Sequence, residues 1–355
     1  MGDGQLVSER LEVEADPFAL YELSLAEGWG DGLPLLPPTE ARVAELLAGT
    51  PYDAGHVIAE RMHPNGGTAT VEKVAINAVM AGCRPEHLPF VIAGVEAINQ
   101  PGYNLYGVGA TTGAAFQMLM VNGPSRDRVG IDYSYGCMGG ATGRGSRTIG
   151  RAVALCLRNV GGQRAGLTTK SCFGQPARLG MCFGEWEEMS PWPSLAEQRG
   201  FSAGQDVVHA HAGMGTMSLC DNRHENARDL AYLVARSVAF PAGNKMLFSP
   251  SMRRNGEIVL AINPDWAARF GREFPDVEDF KAFLLENAYS PIETWSETTR
   301  PLFEDRTDAK GRVHLNERTD QFLIIVCGGP VSLHAICLPS WGETLAQSRA
   351  VALPG

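Results

Sequence analysis

A glycine-rich stretch that runs into three arginines is the strongest candidate for ligand binding in this chain. Residues 133–151 read YSYGCMGGATGRGSRTIGR. Glycines let the backbone approach a ligand closely, and the free N–H groups and dipole at a helix N-terminus attract an anion. Arginine forks fit a carboxylate or a phosphate. We therefore predict an anion site, and a tight loop with surface arginines is the alternative. The predicted binding residues are Gly140, Arg144, Gly145, Ser146, Arg147 and Arg151.

Two further glycine-rich runs indicate a composite pocket. Residues 106–115 read YGVGATTGAA and place the hydroxyls of Thr111 and Thr112 near the start of a strand. Residues 327–337 read CGGPVSLHAIC and follow another strand. Open α/β sheets hold ligands where strands end in such loops. Neither run nor the first stretch matches a phosphate-binding pattern GxxxxGK[ST], so each could also be a plain turn.

Two cysteines lie in these loops and are candidates for thiol chemistry. Cys137 stands close to Arg144 and to a helix N-terminus, where the pKa of a thiol falls. Cys327 follows a buried strand and precedes two glycines. The more common fate of a cysteine is inert burial, which is the alternative for both. His63 and His334, both beside loop residues, are the candidate acid–base groups.

A second cluster of residue types could bind a metal. His209 and His211 alternate, so in a strand they share one face, and Cys220 and His224 follow with helical spacing. Such a set could hold zinc or iron. Neither a CxxC pair nor an HExxH motif accompanies it, so a strand histidine pair next to a helix cap is the plainer interpretation.

Charge and composition limit the function classes. Lys and Arg number 30 against 40 Asp and Glu, a net charge of −10, which disfavours nucleic acid and anionic membrane as partners. No apolar run reaches the roughly 18 residues of a membrane span. The N-terminus lacks the basic start of a signal peptide, and the eight scattered cysteines are typical of free thiols in a reducing compartment. We therefore expect a cytoplasmic protein, as a homo- or hetero-oligomer.

The periodicity of the chain predicts an α/β fold. Asp16, Thr39, Thr70 and Ser146 have the positions of helix N-caps. Buried strands are predicted within 115–124, 257–262 and 321–330, the last in a hairpin with 334–339. We expect two tightly packed lobes with mixed sheets. The predicted parts are an N-terminal helical and extended arm (1–50), a first α/β lobe with the anion loop (51–204) and a second α/β lobe (205–355).

An internal duplication is one further expectation. MLMVNGPSRDRVG and IVLAINPDWAARFG share the order strand, Asn, Pro, helix, once in each half of the chain. Because strand–turn–helix is a common sequence, the pattern is also compatible with two unrelated units.

Several segments resemble a bacterial family associated with UGSC-type (seleno)proteins. The segments are DGLPLLPPTEARVAELL (31–47), TATVEKVAINAVMAGCRPEHLP (68–89) and RTIGRAVALCLRNVGG (147–162), and the resemblance spans roughly residues 16–200 and again 320–345. The chain itself lacks the Sec/Cys-Gly-Ser-Cys motif of those proteins. The resemblance implies thiol-linked metabolism of small molecules and a UGSC-type protein as a partner, and it assigns no catalytic residue.

Three functions follow as hypotheses. We favour an enzyme on a small anionic metabolite, a carboxylate or phosphate, with thiol-dependent reductase or lyase chemistry. A metal-assisted hydrolase that uses His209 and His211 is the second. The third is a non-catalytic partner subunit of a UGSC-type redox protein, for which Trp186, Trp192 and Trp295 would form the interface.

Overall fold

A computed structural model describes residues 6–242, 256–314 and 316–355. The strands are β1 (Val57–Met62), β2 (Gly67–Thr70), β3 (Phe116–Asn122), β4 (Met181–Gly184), β5 (Val207–Gly213), β6 (Met217–Cys220), β7 (Ile258–Ile262), β8 (Tyr289–Pro291), β9 (Arg312–His314), β10 (Phe322–Val326), β11 (His334–Pro339) and β12 (Gln347–Ala350). The α-helices are α1 (Pro17–Ala26), α2 (Glu40–Leu47), α3 (Val71–Ala81), α4 (Leu88–Ile98), α5 (Leu105–Ala110), α6 (Arg126–Val129), α7 (Arg144–Asn159), α8 (Leu195–Gln198), α9 (Ala227–Ala242), α10 (Pro264–Glu273) and α11 (Val277–Asn287).

Two four-stranded mixed sheets form the centre of the fold, which confirms the α/β class. The first has the order β12-β5-β3-β4, and the second has the order β10-β7-β11-β6. In each, one pair is parallel, β3 with β4 and β7 with β10, and the other pairs are antiparallel. Both sheets thus have the same pattern of pairing directions. An internal duplication stays a prediction.

The two sheets pack face to face. Met118 and Met120 of β3 share one core cluster with Val259 of β7 and Ile325 of β10. The residues of β3 that point the other way, such as Leu119, belong to the core cluster formed with helices α3, α4 and α7, and α2 packs on α3. Helices α9, α10 and α11 cover the outer face of the second sheet. The layers are therefore helix, sheet, sheet, helix, and a strand buried on both faces explains the continuous apolar runs in the sequence.

Most of the predicted helix starts are confirmed. The side chains of Asp16, Thr39 and Thr70 accept hydrogen bonds from the first turns of α1, α2 and α3. The prediction for α7 is wrong, because this helix begins at Arg144 after Gly143, and Ser146 is buried inside its first turn.

The final strand pair also differs from prediction. Residues 321–330 and 334–339 were expected to form a hairpin, but β7 lies between β10 and β11. The loop that leaves β10 therefore crosses the end of β7 before the chain turns back as β11. This crossing places the third glycine-rich run over the carboxyl end of a parallel strand pair.

Sheet membership does not follow a division of the chain at residue 205. Strands β5 and β12 lie in the range assigned to the second lobe, yet both pair within the first sheet. The N-terminal arm packs onto the first lobe, since Leu35, Val43 and Leu46 belong to its core. Among the described residues, none of the helices combines the length and the apolar character that a membrane crossing needs.

Candidate active site between two glycine loops

One cavity of about 650 Å³ opens where the loop after β10 meets the loop before α7. The lining includes residues 135–139, 175–177 and 327–329. The lining also includes Arg147, Asn263 after the end of β7 and His334 at the start of β11. The cavity thus lies at the carboxyl ends of the parallel strands β7 and β10, where α/β sheets bind ligands.

Backbone hydrogen bonds fix the two loops against each other. The N–H of Cys327 donates to the carbonyl of Ile262 at 3.0 Å, which continues the pairing of β10 with β7. Gly328 then has φ +90°, a conformation that side chains disfavour, and its N–H donates to the carbonyl of Tyr133 at 2.8 Å. The turn at Gly328 therefore joins the loop after β10 to the segment that carries Cys137.

Cys137 and Cys327 meet on the cavity wall. Both thiols are buried in one core cluster, and the side chains of Cys137 and Cys327 interact by a hydrogen bond. This hydrogen bond, with the N–H groups of Met138 and Gly328, lowers the pKa of Cys137 against the opposing effect of burial. The same hydrogen bond and burial raise the pKa of Cys327. The two pKa shifts have opposite directions and make Cys137 the more acidic thiol of the pair, which is the setting of a reactive thiolate.

A buried carboxyl group next to Cys327 was missed by the sequence interpretation. Glu185 follows β4 and is 1% exposed. It accepts hydrogen bonds from Asn122 Nδ2 at 2.7 Å and from the N–H of Leu195 at 2.8 Å. Burial raises its pKa to about 7, and its charge contributes to the raised pKa of Cys327. No local pattern distinguishes Glu185 from the other acidic residues, because its burial depends on how the two sheets pack.

The N-terminus of α7 is occupied by a carboxylate of the chain itself. Asp132 accepts a hydrogen bond from the N–H of Gly143 at 3.0 Å, and its Oδ2 lies 3.6 Å from Arg147. The hydroxyl of Ser146 accepts from the N–H of Asp132 at 2.8 Å and so holds this turn in place. A Cβ on Gly145 would meet the carbonyl oxygen of Val129, so this glycine serves close packing. The anion at this helix start is thus Asp132.

Only one of the three predicted arginines lines the cavity. Arg144 donates to the carbonyl of Gly82 at 2.9 Å and 3.1 Å, which links α7 to the end of α3. Arg151 forms an ion pair with Asp31 at 2.7 Å and also binds the extended segment that follows it. Both guanidinium groups therefore hold the fold together away from the cavity wall.

Arg147 is the cation available to a ligand. Its side chain is 40% exposed, and it lines the cavity beside the loop of Cys137. Its Nη2 is buried and makes no hydrogen bond; Asp132 at 3.6 Å is its ion-pair partner. The arrangement leaves donor groups for an anion that enters the cavity.

The remaining predicted site residues divide between the cavity and other places. His334 lines the cavity, while His63 lies edge-on to the ring of Tyr106 at 5.5 Å. Thr111 accepts a hydrogen bond from the N–H of Gly113, and the carbonyl of Thr112 accepts from Cys172. His63, Thr111, Thr112 and Gly140 do not belong to the lining of the cavity.

The predicted metal ligands do not come together. His209 and His211 share the inner face of β5, as expected, and are fully buried between the sheets. Cys220 lies on β6 in the other sheet, and His224 bonds Asp221 at 2.8 Å. Over residues 6–242, 256–314 and 316–355, no group of three or more His, Cys, Asp or Glu side chains is arranged to hold a metal ion. The four residues are therefore not brought together as a zinc or iron site: His209 and His211 are buried in the first sheet, whereas Cys220 is exposed and His224 is partly exposed after β6.

His209 instead has a place in the buried polar layer. Its Nε2 lies 3.0 Å from Asn122 Oδ1, and its Nδ1 lies 2.7 Å from Ser348 Oγ. Burial lowers its pKa to about 3, so the ring is neutral. It therefore supports Asn122, which in turn holds Glu185.

Comparisons with known proteins add no family assignment. No protein-family model matches the chain, and no curated protein matches it either. The candidate site therefore rests on the geometry of the cavity and its thiol pair.

Proposed function

We propose that this chain is a cytoplasmic enzyme that reduces a small anionic disulfide with the dithiol of Cys137 and Cys327. The observation that carries the proposal is the contact between these two thiols on the wall of the cavity. They come from distant parts of the sequence, and each has glycines beside it: Gly136 precedes Cys137, and Gly328 and Gly329 follow Cys327. Two adjacent thiols of unequal acidity are what thiol–disulfide exchange requires.

The reaction runs in two exchanges that balance. The Cys137 thiolate attacks one sulfur of a disulfide R–S–S–R′; a Cys137–S–S–R bond forms, and R′S⁻ leaves and takes a proton from water. Cys327 then loses its proton and attacks the sulfur of Cys137, so that a Cys137–Cys327 disulfide forms and RS⁻ leaves with that proton. The substrate gains two electrons. An external dithiol returns the enzyme to its reduced form by the same exchange.

Direct contact between the sulfurs favours this chemistry over lyase chemistry. An enzyme that moves protons on carbon by a two-base mechanism needs its acid and base on separate sides of the substrate carbon. Thiols that bond each other leave no room for a carbon between them, whereas disulfide formation needs this proximity. Thiol-dependent reduction is therefore better supported than elimination.

The cavity supports a small anion as the substrate. About 650 Å³ is in the range of metabolite sites, and the lining offers one cation, Arg147. Asn263, which also lines the cavity, binds the carbonyl of Val331 at 3.0 Å and so stiffens the loop that leads to His334. A carboxylate or phosphate on the substrate would bind Arg147 while its sulfur reaches Cys137.

Variants in which one cysteine is replaced by serine test the proposal. In a background with the exposed Cys172 and Cys220 changed to Ser, we expect the chain to reduce dithiodiglycolate with dithiothreitol as reductant. When dithiothreitol is left out, Cys327→Ser should accumulate a mixed disulfide on Cys137, and Cys137→Ser should neither react nor trap the substrate. Both are measured by intact mass and peptide mapping, with Cys156→Ser, a buried thiol in α7, as the control. Equal trapping in all variants, or trapping on other cysteines, would overturn the proposal.

The partner-subunit hypothesis has less support. Trp192, one of its three interface residues, is 5% exposed, stacks on Phe280 and donates to the carbonyl of Phe274 at 2.8 Å. It therefore serves the core. A UGSC-type partner and the oligomeric state belong to the same proposal: such a partner would supply or receive the electrons of the dithiol, and co-purification would detect it.

A further inference from the structure

We propose that Glu185 is a positioning residue of the dithiol site: its buried carboxylate holds the proton on Cys327 and so leaves the reactive thiolate on Cys137. This inference rests on the proposed function. It concerns a residue that does not line the cavity and reaches no substrate. Its effect would act through the charge distribution of the two sulfurs.

Three separate parts of the fold fix the position of Glu185. Asn122 ends β3 and donates to Glu185 Oε2 at 2.7 Å, and the first residue of α8, Leu195, donates its N–H to the same oxygen at 2.8 Å. The N–H of the next residue, Trp186, donates to the carbonyl of Val326 at 2.7 Å. Since Val326 directly precedes Cys327, this bond anchors the segment of Glu185 beside the thiol.

Several charged groups surround Glu185. The guanidinium of Arg126 binds the main-chain carbonyl of Glu185 and forms ion pairs with Glu187 and Glu188. Glu187 binds Asn122 at 2.9 Å, and its charge further raises the pKa of Glu185. His209, on the other side of Asn122, is neutral.

As a consequence, the thiols of Cys137 and Cys327 differ in acidity. A negative charge at Glu185 raises the pKa of Cys327, whereas the charge that raises the pKa of Cys137 is that of Asp132. Glu185 has a pKa of about 7, so its charge develops as the pH rises through this value. Above it, Cys327 retains its proton and donates to the Cys137 thiolate.

The ratio of two alkylation rates measures this effect. Because the thiols share one charge, the ratio of the Cys137 rate to the Cys327 rate with iodoacetamide reports how the charge is divided. For the wild-type chain we expect a ratio well above one that rises between about pH 6 and about pH 8. In Glu185→Gln the ratio should fall about tenfold at the upper pH, equivalent to one pKa unit, and lose its dependence on pH.

Glu187→Gln is the matched control. It removes a negative charge from the same cluster, and loss of that charge should lower the pKa of Glu185. The ratio of the Cys137 rate to the Cys327 rate should therefore begin to rise at lower pH and reach the same final value. Circular dichroism shows whether each variant is folded. If Glu185→Gln does not fold, the role of Glu185 is tested by the direction in which the pH dependence of the ratio shifts in Glu187→Gln.

The outcomes separate the two proposals. A wild-type selectivity that stays the same in Glu185→Gln, or an unshifted curve in Glu187→Gln, overturns the role of Glu185 and leaves the dithiol intact. Equal, slow alkylation of Cys137 and Cys327 in the wild-type chain overturns the proposed function itself.

Discussion

Replacement of Arg147 by Gln should change which substrates the chain prefers. Arg147 is the cation on the cavity wall, and a hydrogen bond to a charged group contributes about 1.5–3 kcal/mol, or roughly 10- to 100-fold in rate. Two features place the effect at the lower end. The side chain is 40% exposed, and Asp132 at 3.6 Å already offsets part of its charge. We therefore expect about a tenfold loss for an anionic substrate.

Three small disulfides, one anionic, one neutral and one cationic, test this expectation. Dithiodiglycolate carries two carboxylates, 2-hydroxyethyl disulfide is neutral, and cystamine carries two ammonium groups. For each, kcat/KM of Arg147→Gln is divided by that of the wild-type chain, which cancels the intrinsic reactivity of the reagent. The ratio should be about one tenth for the anion, near one for the neutral compound and above one for the cation.

Arg144→Gln is the control for this experiment. Its guanidinium binds the carbonyl of Gly82 and does not line the cavity, so all three ratios should stay near one even if stability falls. An equal loss for all three disulfides in Arg147→Gln would refute the reasoning, because it would mean that Arg147 supports the loop of Cys137 and does not bind the substrate.

Three further predictions concern the framework of the site. Gly145→Ala should lower the free energy of unfolding by about 1–3 kcal/mol in urea, since its Cβ meets a backbone carbonyl, whereas Gly139→Ala, which faces open space, should have little effect; equal losses would contradict this. Arg151→Ala should cost about 3 kcal/mol, because Asp31 would lose its ion pair. A double-mutant cycle with Asp31→Asn should show strong coupling, and additive losses would exclude the ion pair as the cause. Burial raises the pKa of Glu257 to about 7, so the folded chain holds this proton more tightly than the unfolded chain. Its stabilising contribution is therefore complete below about pH 4.5 and is lost as the pH rises through about 7. Stability should fall more steeply between about pH 5 and about pH 8 in the wild-type chain than in Glu257→Gln, and parallel curves would refute this.

Periodicity and capping residues predicted the elements well because they act locally. Thr39 and Thr70 identify the starts of α2 and α3, and the continuous apolar run of β3 indicates burial on both faces. Periodicity does not show which other element each apolar face packs against. The face-to-face packing of Met118 on the second sheet depends on residues far along the chain. The order β10-β7-β11 was missed for the same reason, since a hairpin and a crossing loop begin with the same residues.

The candidate site shows the same division between local and long-range information. Cys137 and Cys327 were each selected for their glycine-rich surroundings, but no sequence pattern indicates that they meet. The anion expected at the start of α7 is Asp132 of the same chain, which precedes the helix by a short loop. A helix N-terminus attracts any carboxylate that the fold brings to it, so the sequence predicts the attraction and not its source.

The central claim is that Cys137 and Cys327 act together as a dithiol. Its most direct test is mild oxidation of the wild-type chain with one equivalent of a small disulfide, followed by peptide mapping without reduction. We predict a peptide in which Cys137 and Cys327 are joined, formed before any other disulfide and removed by dithiothreitol with recovery of activity. If Cys137 and Cys327 stay unlinked while other cysteines oxidise, the dithiol account is contradicted.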